Sequence, residues 1–209
     1  RRQRQMCIRD RSTSTGQTGR VFMTSPQTKG RLLVATPPLT DPNFDRAVVY
    51  VLEHHEDGAI GLILNRPTDE ALVEPLDRWI DLQSAPSSVF TGGPVEESAL
   101  IALAETSTPL VEEADYLSPI VGTIASADLT ADPALVAAEV KGVRVFRGYA
   151  GWGPGQLEGE IEAGAWLVLD SEPGDVFSPD PDELWRTVLR RQPGRLAWLA
   201  DAPDDLSSN

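Results

Sequence analysis

Both histidines of this 209-residue chain stand in one acidic stretch, Glu53-His54-His55-Glu56-Asp57. An imidazole titrates near neutrality, which suits it to general acid–base work or to metal ligation. The spacing argues against a metal, because neighbouring strand residues point to opposite faces and metal ligands must converge on one point. Two readings remain: proton transfer by His54 with Glu53 or Asp41 beside it, or solvation of both rings in a polar turn. A cationic set lies close by. Arg46 closes Asp41–Arg46 (DPNFDR), whose Asp-Pro-Asn start is turn chemistry. It either holds an anion or pairs with an acidic side chain to fix its loop. Asn65 and Arg66 end the next apolar run.

Backbone chemistry is concentrated in Gly148–Ile161 (GYAGWGPGQLEGEI), with five glycines, a proline, Tyr149 and Trp152 in fourteen residues. Glycine admits left-handed backbone and close approach, while Pro154 fixes a dihedral and removes a donor. The stretch reads as a tight packed turn, or as a rigid concave surface where free N–H groups and a ring face meet a ligand. Gly92-Gly93-Pro94 is a second constrained corner. Neither corner is a nucleotide loop: TGGPVEE lacks the Lys-Ser/Thr of a P-loop, and the glycines at 148, 151, 153 and 155 miss the dinucleotide spacing. No serine sits in a G-x-S-x-G elbow. The sole cysteine, Cys7, lies in the first eleven residues. Those residues, RRQRQMCIRDR, read as a translated sequencing adapter and are set aside, which leaves no disulfide, thiol nucleophile or zinc-thiolate site. The reading therefore expects no cofactor and no metal.

The elements that must position these groups follow from periodicity. Residues 12–29 form a Ser/Thr/Gly-rich leader without apolar pattern, residues 30–200 one domain, and residues 201–209 an acidic tail. Strands are expected at Arg31–Thr36, Ala47–Glu53, Ala59–Asn65, Val89–Thr91, Val121–Ala125, Val143–Phe146, Ala165–Asp170 and Arg195–Leu199. The second and third make a hairpin with a longer-than-minimal loop. Ser98–Glu105 fits strand or helix, and Thr106–Leu117 reads as an acidic loop. Helices are expected up to about Leu82, after Asp132-Pro133, from Gln156 to a terminating Gly164, and after Asp180-Pro181. In the last, Glu183 completes a capping box and Leu184, Trp185, Val188 and Leu189 form the buried face. Interspersed strands and helices with an early hairpin argue for α+β with a mixed or antiparallel sheet.

Charge restricts partners. The chain carries a net charge of −14, and removal of the five arginines and one aspartate of residues 1–11 takes it to −18. An acidic body repels phosphate backbones, so direct nucleic-acid binding is disfavoured. No apolar run or signal peptide suggests a membrane, so a soluble cytoplasmic protein is expected.

Three separated blocks, RLLVATPPLTDPNFDRAVVYVLEHHEDGAIGLILNRP, VFTGGPV and GYAGWGPGQLEGEIEAGAWLVL, resemble the bacterial YqgE/AlgH family in the family's order, from Gly30 to about Trp198. The resemblance implies a single compact domain with a branched sheet partly closed into a barrel and helices around it. Some members are described as regulators of alginate synthesis or of transcription, and no accepted catalytic residues carry over. This chain departs from the pattern at His55, where Asn or Asp is more usual, and at Ala104, near a position often held by histidine. Two functions follow. The first is a non-enzymatic regulatory protein acting through a protein partner. The second is a small-ligand binder or enzyme whose site gathers Arg46, Glu53, His54, Asn65, Arg66, Gly92, Gly93, Tyr149, Trp152 and Gln156. The spatial question is whether Arg46, His54, Arg66 and Trp152 share one pocket.

Overall fold

Residues 28–39 and 41–201 are described by the structure, a computed structural model. The adapter-like residues, the leader up to residue 27 and the tail beyond Asp201 lie outside the described residues. Nine strands form one sheet among them: β1 (Arg31–Ala35), β2 (Val48–His55), β3 (Gly58–Ile63), β4 (Val89–Thr91), β5 (Val95–Thr106), β6 (Leu117–Val121), β7 (Ile124–Ala127), β8 (Val140–Trp152) and β9 (Trp166–Asp170). Their order is β6-β7-β5-β8-β3-β2-β1-β9, with β4 beside β8 off that path. Only β4 and β8 pair in parallel. Four short helices complete the domain: α1 (Gln156–Glu162), α2 (Pro173–Val176), α3 (Leu184–Arg190) and α4 (Leu196–Leu199). The architecture is the expected α+β single domain, a curled sheet half-closed into a barrel.

The alternation of side chains across β1, β2 and β3 explains their apolar runs. Leu32, Val34, Val48, Tyr50 and Leu62 face Leu184, Trp185, Val188 and Leu189 of α3. Leu33, Ala35, Val49, Val51 and Ile63 face the other way, onto Leu157 of α1, Trp152 and Trp166. Strands covered on both faces carry no polar alternation. Each fully buried large side chain among them contributes roughly 1.5–3 kcal/mol. A third cluster joins Ala102, Ala104, Val143 and Val145 to Leu72 and Trp79.

β8 holds the sheet together. It pairs β5 along Val140–Tyr149, β4 along Val145–Arg147 and β3 along Ala150–Trp152. The hand-over from β5 to β3 follows Tyr149, next to Gly148, whose φ is 67°. A Cβ there would lie 2.5 Å from the Gly93 carbonyl oxygen, so the position admits only glycine. The glycine-rich block is therefore not a turn from its start, because Gly148–Trp152 is strand.

Other expectations are corrected locally. The hairpin loop is minimal: His55 pairs with Gly58 around Glu56-Asp57. Only one 3₁₀ segment, Asp77–Leu82, forms where a longer helix was expected; Trp79 is its buried residue and Leu82 packs beside it, while Ile80 stays exposed. Ser98–Glu105 resolves as part of β5. Val121–Ala125 straddles a hairpin turn at the left-handed Gly122, and β6 takes the end of the presumed acidic loop. Asp132 caps as expected, its side chain accepting from the Ala134 N–H, yet the helix is a single 3₁₀ turn. α3 starts only at Leu184 with Glu183 itself at the N-cap, so Asp180 does not cap it and the expected capping box does not form; the Glu183 carboxylate pairs with Arg186 and Arg190 instead. A capping box forms instead at Glu172 and Asp175, ahead of α2. Arg195–Leu199 is helical: Leu196 and Leu199, three apart, both pack on the core.

Two polar side chains are embedded in this core. Arg144 donates to the carbonyls of Val176, Ala85 and Ser178 and lies 4.3 Å from the Phe90 ring centroid, and burial pushes its pKa down to about 10. Burial raises the Tyr50 pKa to about 12. A phenol that ionises later in the folded chain than in the unfolded one stabilises fully below about pH 10, and that contribution fades as pH rises towards 12. Tyr50→Phe is expected to be near neutral at pH 8 and to reduce the loss of stability at pH 11 by roughly 1 kcal/mol. Urea midpoints of both proteins at pH 8 and pH 11 measure this; parallel losses would remove Tyr50 as the cause.

Candidate functional site

Helix α1 begins where the glycines end, and its first turns organise the aromatic residues. Gln156 Oε1 accepts from the Gly153 N–H at 3.0 Å, and its Nε2 donates to Glu160 Oε1 at 2.9 Å. The other Glu160 oxygen accepts from both indoles, Trp152 Nε1 at 2.9 Å and Trp166 Nε1 at 2.8 Å. Phe44 stacks on Trp152 and meets Trp166 edge-on, the centroids 6.3 and 5.4 Å away. One carboxylate thus fixes three donors by charge-assisted bonds. Trp152 and Gln156 are positioned by this network, which the sequence reading missed. The signal available for it was the i, i+4 spacing of Gln156 and Glu160 on one helical face.

His54 is neither solvated nor beside Glu53 or Asp41. Its side chain is 4% exposed, with Nε2 3.0 Å from Glu158 Oε1 and Nδ1 2.8 Å from Thr28 Oγ1. The ring thus bridges the Thr28 hydroxyl and the Glu158 carboxylate. The pair of bonds ties the start of the described chain to α1. His55 points the opposite way, exposed, 3.7 Å from Glu53.

Arg46, Asn65 and Arg66 gather at the far end of the β2–β3 hairpin. Asn65 accepts from the Val48 N–H and donates to the Arg46 carbonyl, both at 2.9 Å. Arg46 adopts φ of 49°, and its guanidinium sits 5.1 Å from the Trp185 ring centroid. Arg66 donates to the backbone carbonyls of Asn65 and Asp45. Burial lowers its pKa, and the charges of Asp45 and Asp182 act against that shift.

Among the described residues the four on which a common site depended are not gathered in one depression, although Arg46 and Arg66 share one. Three depressions concern them. Arg46, Asn65 and Arg66 line one of about 380 Å³ with Asp45, Asp182 and Trp185. Arg66 also lines a cleft of about 400 Å³ with Thr91, Gly93, Pro94, Glu97 and Arg147. Glu53, Tyr149 and Trp152 line a groove of about 500 Å³ with His55, Asp57, Ile60, Val95 and Gly151. His54 lines none of these three, and Ala104 belongs to the β5 cluster, away from the partners of His54. Gly92 lines none of the three and links β3 to β8, its N–H donating to the Arg147 carbonyl and its carbonyl accepting from Ile63.

The groove has a particular character. Ile60 pairs across from Gly151, and Val95 from Tyr149, so four neighbouring strand positions make its floor. A Cβ on Gly151 would touch the Tyr149 ring at 3.4 Å; its absence keeps the floor open. Glu53 and Asp57 stand on the rim, and the Tyr149 hydroxyl donates to Glu96 at 3.4 Å. Desolvation first, then the Glu96 charge, holds the Tyr149 pKa above its ordinary value. Among the described residues no cluster of three or more His, Cys, Asp or Glu is arranged for a metal, and no helix is long and apolar enough to cross a membrane.

Comparison with known proteins gives a consistent picture. A family profile described as AlgH-like matches residues 32–197. A UPF0301 protein of Streptomyces coelicolor is 52% identical over 182 residues, 86% of this chain and 94% of that protein. One from Mycobacterium tuberculosis is 44% identical over 181 residues, 86% and 90% of the respective chains. The crystal structure of a Corynebacterium diphtheriae protein superposes with a TM-score of 0.79 at 32% identity, covering 84% of this chain and 92% of that one. The solution structure of the AlgH protein from Pseudomonas aeruginosa gives 0.61 at 28% identity, covering 90% and 98%.

Removal of the shared acceptor leaves two indole N–H groups and an amide without it. Glu160→Ala is expected to cost about 3 kcal/mol, from unsatisfied donors at roughly 1–3 kcal/mol each, and to red-shift tryptophan emission. Denaturant melts followed by fluorescence measure both; an unchanged midpoint would deny the carboxylate its organising role.

Proposed function

The chain belongs to the AlgH-like family, and on that premise we propose that it is a non-enzymatic regulatory binding protein of the cytoplasm that acts through a protein partner. Any transcriptional role is exercised through that partner, because a chain of net charge −14 gains nothing from a phosphate backbone. The observation that carries the proposal is the groove between β3, β5 and β8. It joins an apolar floor at Ile60, Val95 and Tyr149 to an acidic rim at Glu53 and Asp57. Partly exposed aromatic and aliphatic groups ringed by one sign of charge suit a partner segment that brings basic side chains around an apolar anchor. The partner's chemistry is therefore that of a Lys/Arg-bearing peptide stretch.

The expected outcome is retention of a protein from native-host extract at low salt by the immobilised chain. Retention falls as salt rises, because rim charges act within a Debye length of about 8–10 Å. It falls at least tenfold in Glu53→Lys/Asp57→Lys, whose exposed positions leave the melting transition intact. A wild-type chain that emerges with nucleic acid alone, or a double variant that retains the same protein equally, contradicts the proposal.

A further inference from the structure

The cleft at the other side of the Gly92–Pro94 corner has the opposite polarity from the groove. We propose that it binds a small oxyanion, a carboxylate or phosphate group held between Arg66 and Arg147. Four observations carry this. First, Arg66 donates to two backbone carbonyls, and among the described residues it forms no ion pair within 4 Å. A guanidinium has five donors in a planar fork, so others remain for a ligand. Second, Arg66 is half-buried, and desolvation works against its charge despite the carboxylates of Asp45 and Asp182; an arriving anion adds to the compensation those carboxylates supply. Third, Arg147 lines the same cleft from β8. Its bond to Glu70, 2.8 Å long, joins two side chains that are 44% and 56% exposed, a pair worth under about 1 kcal/mol and easily exchanged for a ligand. Fourth, Gly93 in the cleft wall packs directly on the backbone of β8, where a Cβ would lie 2.2 Å from the Tyr149 carbonyl carbon, so this corner is held against the strand that carries Arg147. The volume of about 400 Å³ suits a metabolite-sized molecule.

Glu97 is the opposing element. It lines the cleft with its carboxylate and repels any anion that enters, which gives the proposal a signature with a distinctive sign. Titration calorimetry of the full chain at low ionic strength, with inorganic phosphate and with succinate, tests it. At least one of the two is expected to bind at millimolar concentration or below. Arg147→Ala, an exposed substitution that leaves the melt unchanged, weakens binding at least tenfold, as does Arg66→Gln. Glu97→Gln tightens it several-fold, an effect that a purely structural role for the arginines does not produce. Binding of one anion alone assigns the headgroup. Absence of binding by both, or affinities indifferent to Arg147→Ala and Glu97→Gln, overturns the proposal. Glu53→Lys/Asp57→Lys, placed on the groove, does not weaken anion binding, so this site and the partner groove stand or fall separately.

Discussion

The left-handed turn of backbone at Gly148 is the constraint on which this architecture hangs. It lets one 13-residue strand leave β5 and join β3 without a break in the sheet. The close approach it permits, Gly148 against the Gly93 carbonyl, draws the Gly92–Pro94 corner onto β8. Hydrogen bonds from Gly92 to Arg147 and from Ile63 to Gly92 then lock β3, the corner and β8 together. The three sequence blocks that carry the family resemblance therefore meet along one line. They meet as a seam, and the working surfaces lie on its two sides.

Polar side chains stiffen the structure on both sides of that seam. Near the groove, Glu160 gathers Trp152, Trp166 and Gln156, while Glu158 holds His54. Near the cleft, Asn65 closes the loop that presents Arg46 and Arg66. Arg191 clamps Asp175 with two bonds and fastens α2 to α3. Charge-assisted bonds of this kind are directional, and they fix side chains that apolar packing alone leaves free to repack. Surfaces built on such supports keep their shape without a ligand, which lowers the ordering cost of binding.

Much of this was legible in the sequence. The apolar runs at Arg31–Thr36 and Ala47–Glu53 gave strands with nearly the observed limits, and the four apolar residues of α3 were read correctly because helix burial repeats at short, fixed spacing. Long-range pairing was the harder part. Gly148–Trp152 has the composition of a turn and is strand only because β3 and β5 supply partners. Arg195–Leu199 has strand composition, and Leu196 and Leu199 are drawn into a helical turn by the core they face. At the candidate site, the residue types were correct and their grouping was not. Alternation on β2 sends His54 inward and Glu53 outward, as the spacing implies. The acceptor for His54 lies 104 residues away in α1, beyond any local pattern.

The beginning of β5 shows how two unlike surfaces sit side by side. Val95 lines the acidic groove and Glu97 the basic cleft, with Glu96 between them in a left-handed conformation at φ of 47°. A side chain with a Cβ is costly there, and the cost is met where it separates two environments. The chain's overall negative charge acts differently on each. It draws basic segments towards the groove from a distance and so speeds encounter. The same field opposes a small anion in solution, so the cleft depends on short-range bonds from Arg66 and Arg147 once the anion has arrived. Attraction at a distance thus governs one side of the seam, and contact geometry governs the other.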